Sequence, residues 1–441
     1  MSLLLAWLLG CDGGVATGSK EAATPAPPLA THASAPAAPL LAPPASVTVW
    51  TVDNVDHLVP QRPARVAKVG RPIKAIPQLD VTLQVLEDVV DRFGGDPDNP
   101  WAIAHGVLAR GASFRLHDGR EVLPHLFATY AEARTFTRKD GTTRTLPGFP
   151  AARGKVRVEP HTDLLLKNLA EVGFAANAVV ATSFGVATLA DLYRATVLKT
   201  ALDPAANRST FKDPNDVVWG LQALASWAPS DAGTKPELQW IASDGTAMDL
   251  DNVASFATAV LTQESAFLFE DLQSGRPFQR AGQNLFSYTC GGSHLLQGAA
   301  YAVGRGFGTE MDRKAVGAQV PLLFYRLPGE LRVYDEAMKR NPKFRTRLLV
   351  QRVKFLGHWL ESASKLQAMG FFVPSDEQQR SIEGAATNLA LTVDALKKQG
   401  TLDQLPDIRT KDEQLYLDIV GDSAHAIRGL SLAMGRDDLA Y

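Results

Sequence analysis

The sequence has little of several features that define common protein classes. It contains two cysteines, Cys11 and Cys290, too few for a disulfide-stabilised scaffold. Lys and Arg number 45 against 47 Asp and Glu, so it lacks the basic excess with which nucleic-acid and anionic-membrane binders neutralise phosphates. No run of about 18 apolar residues is present to span a bilayer. Walker, dinucleotide-binding, nucleophile-elbow and His-Glu-x-x-His motifs are also missing. The remaining composition is that of an ordinary globular protein.

The N-terminal segment carries a targeting pattern. An apolar run from Leu3 to Leu9 is followed by Gly10 and Cys11. A run of this length is typical of a signal-peptide core rather than of a transmembrane helix. Residues 8–11, Leu-Leu-Gly-Cys, resemble the lipobox of bacterial lipoproteins, although no Lys or Arg precedes the apolar run. The resemblance implies that residues 1–10 are removed and that Cys11 is lipidated; a plain cleaved signal and an apolar stub are the alternatives.

A lipid on Cys11 would place the protein in the cell envelope, periplasmic or at the cell surface, with the lipid as its membrane contact. The next segment, residues 11–48, is rich in alanine and proline, with ten Ala and seven Pro between residues 21 and 46. Such a tract buries no apolar surface and is expected to be a disordered tether. The folded domain is then expected to span residues 49–441.

Helical periodicity dominates this domain. Apolar residues follow helix spacing in the segments 81–93, 348–360 and 415–430. Asp-Gly pairs lie between short β-prone runs, beginning at Asp118, Asp140 and Asp244. This dipeptide favours the type I′ turn of a β-hairpin because both central residues take positive φ. The sequence therefore predicts an all-α body decorated with short β-hairpins.

A short phrase of small and apolar residues recurs along the chain. Its copies are anchored on alanines spaced by 61, 55 and 75 residues: Ala109, Ala170, Ala225 and Ala300. A repeat of this length holds two helices, and one pair cannot bury its apolar face alone, so the pairs are expected to stack. Near the C-terminus Ala424-His425 echoes Ala104-His105. We therefore expect the helical pairs to close into an α/α toroid, with an open solenoid or a multi-domain bundle as alternatives.

Three phrases carry a resemblance to known proteins. Residues 288–294 read Tyr-Thr-Cys-Gly-Gly-Ser-His, residues 161–165 read His-Thr-Asp-Leu-Leu, and residues 424–428 read Ala-His-Ala-Ile-Arg. With them the chain resembles a group of largely uncharacterised secreted bacterial proteins that carry a Cys-Gly-Gly-Ser/Thr-His motif. The resemblance covers most of residues 100–435. It implies a fold similar to that of prenyltransferase β-subunits, terpenoid cyclases and lanthipeptide cyclases, and it implies no particular activity.

Cys290 and His294 are the strongest candidates for chemistry. Four residues apart, they would share one face of a helix, where they could hold a metal or exchange a proton. Gly291 and Gly292 weaken a helix there, so Thr289 or Ser293 becomes a candidate N-cap and the pair lies at a helix start. One hypothesis is a Cys290 thiolate nucleophile with His294 as its base. Another is a zinc site, and a third is that Cys290 is simply buried among packed helices.

Zinc needs further ligands, and two histidines are candidates for them. His105 and His425 would be brought to Cys290 and His294 by closure of the toroid. The Ala104-His105-Gly106 phrase also resembles a lanthipeptide-cyclase phrase that contains a zinc ligand, although those enzymes need two more cysteines and this chain supplies one. Each of these histidines can instead be a satisfied core residue. His358 is interpreted as a helix-packing residue, and Asp249 as a helix N-cap rather than a cyclase acid.

Two functions follow from these observations. In the first, the cavity near Cys290, His294, His105 and His425 binds or processes an envelope-derived ligand, a glycan or an isoprenoid, by zinc or thiol chemistry. In the second, the protein is a non-catalytic helical scaffold for another envelope protein. The two differ in one observable: the first requires these side chains to meet in one cavity.

Overall fold

The structure, a computed structural model, describes residues 48–62, 66–211, 214–229, 235–280 and 284–440. The predicted signal segment, Cys11 and nearly all of the predicted tether fall in residues 1–47, outside these ranges. Among the described residues, no helix combines the length and apolarity that crossing a membrane requires.

Helices make up most of the described chain, in agreement with the predicted class. In chain order they are α1 (Pro77–Phe93), α2 (Pro100–Arg110), α3 (Val122–Tyr130), α4 (Leu164–Glu171), α5 (Leu189–Lys199), α6 (Val217–Ser226), α7 (Leu250–Gln273), α8 (Ser293–Gly304), α9 (Glu310–Arg340), α10 (Arg345–Ala368), α11 (Asp376–Lys398), α12 (Leu405–Lys411) and α13 (Glu413–Ala433).

The strands are short and form small separate sheets. They are β1 (Val49–Trp50), β2 (Val66–Ala67), β3 (Glu132–Thr137), β4 (Thr143–Gly148), β5 (Ala152–Arg153), β6 (Val156–Arg157), β7 (Val179–Thr182), β8 (Gly185–Thr188), β9 (Leu202–Asp203), β10 (Arg208–Ser209), β11 (Gln239–Ile241), β12 (Ala247–Asp249) and β13 (Leu439–Ala440). One sheet has three strands in the order β1-β11-β12, with β1 parallel to β11. The others are antiparallel pairs, including β13 with β2.

The Asp-Gly pairs mark turns, although not of the predicted type. Asp140-Gly141 lies between β3 and β4, and Asp244-Gly245 between β11 and β12. The glycines have φ of 83° and 86°, whereas neither aspartate has positive φ, so the type I′ prediction is wrong. Between β3 and β4 the Arg138 N–H donates to the Thr142 carbonyl at 2.8 Å. A five-residue loop with only its glycine left-handed therefore replaces the two-residue turn.

Side-chain caps fix several helix starts. The Asn99 side chain accepts from the Ala102 N–H at 3.0 Å, and α2 begins at the next residue, Pro100. At α7 the Asp249 carboxylate accepts from the Asp251 N–H at 2.9 Å. Asp249 is therefore the predicted N-cap. These caps satisfy backbone donors that have no partner inside the first helical turn.

The helices fall into two kinds by burial. Helix α1 is amphipathic: Leu79, Leu83 and Leu86 are buried while Val81 is 54% exposed. Every residue of α6 is buried, and α8 and α13 are buried along most of their lengths. A helix buried on all sides lies inside the protein, between other helices. We call the interior set α2, α4, α6, α8, α10 and α13 the core helices.

The core helices pack on one another in chain order. Helix α2 packs on α4, α4 on α6, α6 on α8, α8 on α10 and α10 on α13. The predicted repeat anchors Ala109, Ala170, Ala225 and Ala300 lie on the first four of them. Helix α13 also packs against α1 and α2.

Glycines allow α13 to approach its neighbours closely. A Cβ on Gly421 would lie 2.4 Å from a ring carbon of Trp101 on α2. A Cβ on Gly357 of α10 would lie 2.8 Å from the backbone of Ala426. Since real Cβ atoms do not come so close to other atoms, larger residues would force the helices apart. The close approach brings His425 of α13 beside histidines of α2 and α10.

Candidate functional site

A small cavity between the core helices collects most of the histidines of the protein. Its volume is about 40 Å³, and Cys290, Trp101 and Trp219 are among its lining residues. Five of the nine histidines also line it: His105, His161, His294, His358 and His425. The structure thus brings together all four residues that the sequence analysis singled out, and adds two histidines.

Cys290 lies in an unusual turn before α8. The residue has φ 54° and ψ 37°, and Gly291 and Gly292 are also left-handed. A left-handed conformation costs a non-glycine residue about 1–2 kcal/mol. Such strain at a cavity-lining cysteine is typical of functional sites.

This turn corrects the prediction that Cys290 and His294 share one face of a helix. Helix α8 begins at Ser293, so the two residues do not share a helix face, although they do lie at a helix start. Neither predicted N-cap performs that role. The Ser293 hydroxyl donates to the Cys290 carbonyl at 2.9 Å, and the Thr289 hydroxyl accepts from Asn215 at 2.8 Å.

Three potential ligand atoms meet beside this turn. Cys290, His294 and His358 each offer one atom, and these atoms lie within 4.8 Å of one another. His358 is 1% exposed, and neither of its ring nitrogens has a hydrogen-bond partner among the described residues. A buried polar group without a partner costs free energy. One sulfur and two nitrogens are donors that zinc accepts, so this set could hold a metal ion.

His358, Glu361 and His425 form a second set, whose potential ligand atoms also lie within 4.8 Å of one another. Its carboxylate is already engaged, because Glu361 Oε2 lies 2.9 Å from His425 Nδ1 and Oε1 lies 2.7 Å from Lys365 Nζ. Since a carboxylate accepts, His425 Nδ1 carries the proton and Nε2 keeps its lone pair. Glu361 therefore orients His425, as carboxylates beside metal sites commonly orient histidines.

His105 belongs to neither set of three. Its Nδ1 lies 2.8 Å from the Trp101 carbonyl, which can only accept, so Nδ1 is the donor and Nε2 keeps its lone pair. The ring lies 5.5 Å from that of His425, centroid to centroid. His105 therefore lines the cavity and neighbours the second candidate set through the ring of His425.

The histidines at the centre are neutral near physiological pH. Burial lowers the pKa of His105 to about 3, and the nearby His425 makes the second largest contribution to the decrease. Burial also lowers the pKa values of His294 and His358 well below the ordinary 6.5. It lowers the pKa of His425 as well, although the nearby Glu361 carboxylate acts to raise it. A neutral imidazole keeps the lone pair that a metal needs.

A network of buried ion pairs adjoins the histidines. Lys365 Nζ lies 2.9 Å from Glu171 and 2.7 Å from Glu361, and Lys167 Nζ lies 2.7 Å from Glu171. Arg428 adds a contact of 3.5 Å to Glu171. Burial alone would raise the pKa of Glu171, but Lys167, Lys365 and Arg428 outweigh it, so the pKa is lowered and the carboxylate is ionised.

His161 lies on another wall of the cavity and is 22% exposed. Its Nδ1 lies 2.9 Å from Asp216 Oδ1. The ring stacks on Trp219 at 4.3 Å with an interplanar angle of 2°, and Trp219 contacts His294 at 4.7 Å, centroid to centroid. His161 and Asp216 thus form a hydrogen-bonded dyad at the cavity.

The sequence analysis assigned no role to His161 or Asp216, and it interpreted His358 as a packing residue. One signal for His358 was available: His358, Glu361 and Lys365 follow helix spacing inside a segment that is otherwise largely apolar. Titratable groups in such a segment need partners or a function. The 55 residues that separate His161 from Asp216 gave no comparable signal.

Comparisons of the chain with models of protein families, with curated proteins and with solved structures gave no match.

Proposed function

We propose that the protein is an envelope-tethered zinc enzyme whose metal is held by Cys290, His294 and His358. The observation that carries the proposal is the meeting of three zinc-type donor atoms within 4.8 Å. One of them belongs to the buried His358, whose nitrogens have no hydrogen-bond partner in the described chain, although Nδ1 lies 3.9 Å from Glu361 Oε2. A bound cation would satisfy one of those nitrogens. Sulfur and imidazole donors favour zinc over magnesium or calcium, which prefer oxygen ligands.

The proposed architecture is an α/α toroid formed by the core helices. The packing of α13 on α2, in addition to the contacts between successive core helices, supports it. So does the cavity, which is lined by residues from α2, α4, α6, α8, α10 and α13. A toroid gathers residues from distant parts of the sequence at its centre, where the candidate ligands lie.

Three protein ligands leave a fourth position of zinc open, and an open position is characteristic of catalytic rather than structural zinc. Zinc supplies Lewis acidity there when bound. The cavity of about 40 Å³ has room for a few waters or one small group. We therefore propose that an envelope-derived ligand, a glycan or an isoprenoid, presents only its reacting end to the centre, while the lipid on Cys11 holds the protein at the membrane.

Metal analysis tests the proposal directly. Purified full-length protein should contain about one zinc per chain. Cys290→Ser, His294→Ala and His358→Ala should each lose most of it, and far-ultraviolet circular dichroism should show that they remain folded. His125→Ala is the matched control, because His125 is also buried but lies on α3 outside the cavity. A wild-type protein that binds no metal would refute the zinc centre.

Thiol chemistry is the alternative that the strained Cys290 turn favours. Alkylation with iodoacetamide separates the two, since a zinc-bound sulfur is protected. The zinc proposal expects slow alkylation of Cys290 that becomes fast after chelation. Fast alkylation regardless of metal, slowed in His294→Ala, would instead support a thiolate with His294 as base. An inert thiol in a metal-free protein would leave the scaffold function.

A further inference from the structure

The His161–Asp216 dyad lies apart from the residues that would hold the metal. His161 lies in the turn before α4, and Asp216 lies immediately before α6. Asp216 is 2% exposed, whereas His161 is partly exposed and lines the cavity. A buried carboxylate that fixes a partly exposed imidazole is the arrangement that orients acid–base histidines in other enzymes.

The tautomer follows from the hydrogen bond. The Asp216 carboxylate accepts at 2.9 Å, so Nδ1 of His161 carries the proton and Nε2 keeps its lone pair. Trp219 covers one face of the ring in parallel stacking at 4.3 Å. One nitrogen and one face are therefore occupied by the protein. Nε2 has no such fixed partner among the described residues.

The start of α6 fixes the dyad relative to the Cys290 turn. Asn215 donates to the Thr289 hydroxyl at 2.8 Å and accepts from the Thr289 N–H at 3.2 Å, which holds the residue before Cys290. The next residue, Asp216, holds His161. One turn further, Trp219 contacts both His161 and His294. Asn215, Asp216 and Trp219, at the start of α6, thus set the spacing between the two walls of the cavity.

We infer that His161, oriented by Asp216, is the acid–base residue of the cavity. Its Nε2 lone pair accepts a proton from an O–H, N–H or S–H group of a ligand or from water, so that one such bond breaks, one N–H bond forms and the imidazolium is balanced by Asp216. The deprotonated O, N or S atom forms a bond to the ligand atom from which the leaving group departs, and return of the proton to that leaving group completes the cycle without any oxidant or reductant. The inference rests on the proposed function, because it takes the cavity to be a reaction site.

Five of the other titratable groups around the cavity are less suited to this role than His161. The titratable groups that line it with His161 are His105 on α2, Lys167 on α4, Cys290 and His294 at the start of α8, Lys354 and His358 on α10, and Asp418, Asp422 and His425 on α13. Burial suppresses protonation of His105, His294, His358 and His425. Lys167 is engaged by Glu171.

Diethyl pyrocarbonate, which modifies an unprotonated and accessible imidazole nitrogen, tests the state of His161. Peptide mapping of the full-length, zinc-loaded protein between pH 5 and pH 8 should find His161 modified at least about tenfold faster than the other four cavity histidines. In Asp216→Asn the modification of His161 should be slower than in the wild type, because no carboxylate then fixes Nδ1 as the donor and Nε2 as the unprotonated nitrogen. The exposed His57 and His117 are internal controls whose rates of modification should not change. An unreactive His161, or an unchanged rate in Asp216→Asn, would overturn the inference.

Hydrolysis of p-nitrophenyl acetate tests the catalytic role. His161→Gln should lower the rate by about 100-fold, the size of a lost acid–base group, with zinc content unchanged. Cys290→Ser should lose both zinc and hydrolysis, so that failure of the metal centre is distinguishable from failure of the dyad. A rate that survives His161→Gln in zinc-loaded protein would refute the role of His161 alone. Wild-type protein that does not hydrolyse the ester would also overturn it.

Discussion

Two groups of polar side chains share the interior of this protein, and they differ in how completely they are partnered. In the ion-pair network, Lys365 contacts two carboxylates, and Glu171 contacts three cations. In the proposed metal set, both nitrogens of His358 have no hydrogen-bond partner in the described structure. The comparison indicates that ion pairs between α4, α10 and α13 hold the core helices together, whereas the proposed metal set places His358 beside other potential ligand atoms without a hydrogen bond of its own.

Breaking the network should have the largest effect on stability. Glu171→Gln leaves Lys167, Lys365 and Arg428 with one buried carboxylate fewer, and removing one partner of a buried ion pair costs about 3–5 kcal/mol. Urea unfolding should measure this loss. Glu336→Gln is the control, because its pair with Arg340 is exposed and is worth about 0.5 kcal/mol or less. Equal losses in the two variants would contradict the importance of burial.

Binding of zinc to the proposed metal set should stabilise the protein by the next largest amount. Zinc at 100 times its dissociation constant should add about 2.7 kcal/mol to the free energy of unfolding, since it binds only the folded set. Thermal unfolding with zinc and with chelator measures the difference. The gain should vanish in His358→Ala and persist in Glu336→Gln. A wild-type melting temperature that is the same with zinc and with chelator would contradict the comparison.

Acid should reduce stability through the cavity histidines at a higher pH than through the ion-pair network. Burial depresses the pKa of His105 from 6.5 to about 3. Below pH 6.5 the unfolded chain therefore binds a proton at His105, whereas the folded state does not bind it until the pH approaches 3. Its contribution is complete above pH 6.5 and is lost as the pH falls, by about 1.4 kcal/mol per pH unit. The Glu171 carboxylate, whose pKa lies below its ordinary 4.5, adds losses only at lower pH.

Urea unfolding of protein from which metal has been removed with a chelator, measured between pH 7 and pH 5, checks this prediction. Stability should already fall in that interval, and His105→Asn should fall less steeply than the wild type. Constant stability from pH 7 to pH 5 would contradict the prediction, because it would mean that the cavity histidines take up protons in the folded state as readily as in the unfolded chain.

The strained turn should give the smallest effect. In metal-free protein, Cys290→Gly should be more stable than Cys290→Ala by about 1 kcal/mol, because glycine accepts φ of 54° without the cost that a Cβ imposes. Both variants lose the sulfur, so the difference isolates the backbone. Chemical denaturation measures it. A less stable glycine variant would show that the turn relaxes when the metal ligand is removed.

Much of the fold could be predicted from the sequence. The anchors Ala109, Ala170, Ala225 and Ala300 identified four helices that pack in succession, because the repeated phrase falls once on each of α2, α4, α6 and α8. The hairpins at Asp140 and Asp244 were also predicted. Their turn type was not, since loop length and strand register, rather than the dipeptide, decide it.

The candidate site was predicted only in part. Motif spacing identified Cys290 and His294, but it assumed a helical face where the chain has a left-handed turn. The third donor, His358, comes from a helix 64 residues further on, and Asp216 reaches His161 across 55 residues. Such partners depend on how the core helices pack. The spacing of residues within one motif does not show which other helices will supply its partners.

The packing of α13 on α1 and α2 also bears on the order of synthesis. Residues 413–433 leave the ribosome last among the core helices, yet they supply His425 and enclose the cavity beside His105. A chain that ends before residue 413 therefore contains Cys290, His294 and His358 but lacks the wall of the cavity that α13 provides. Wherever the chain folds, the cavity is complete only once α13 has packed on α1 and α2.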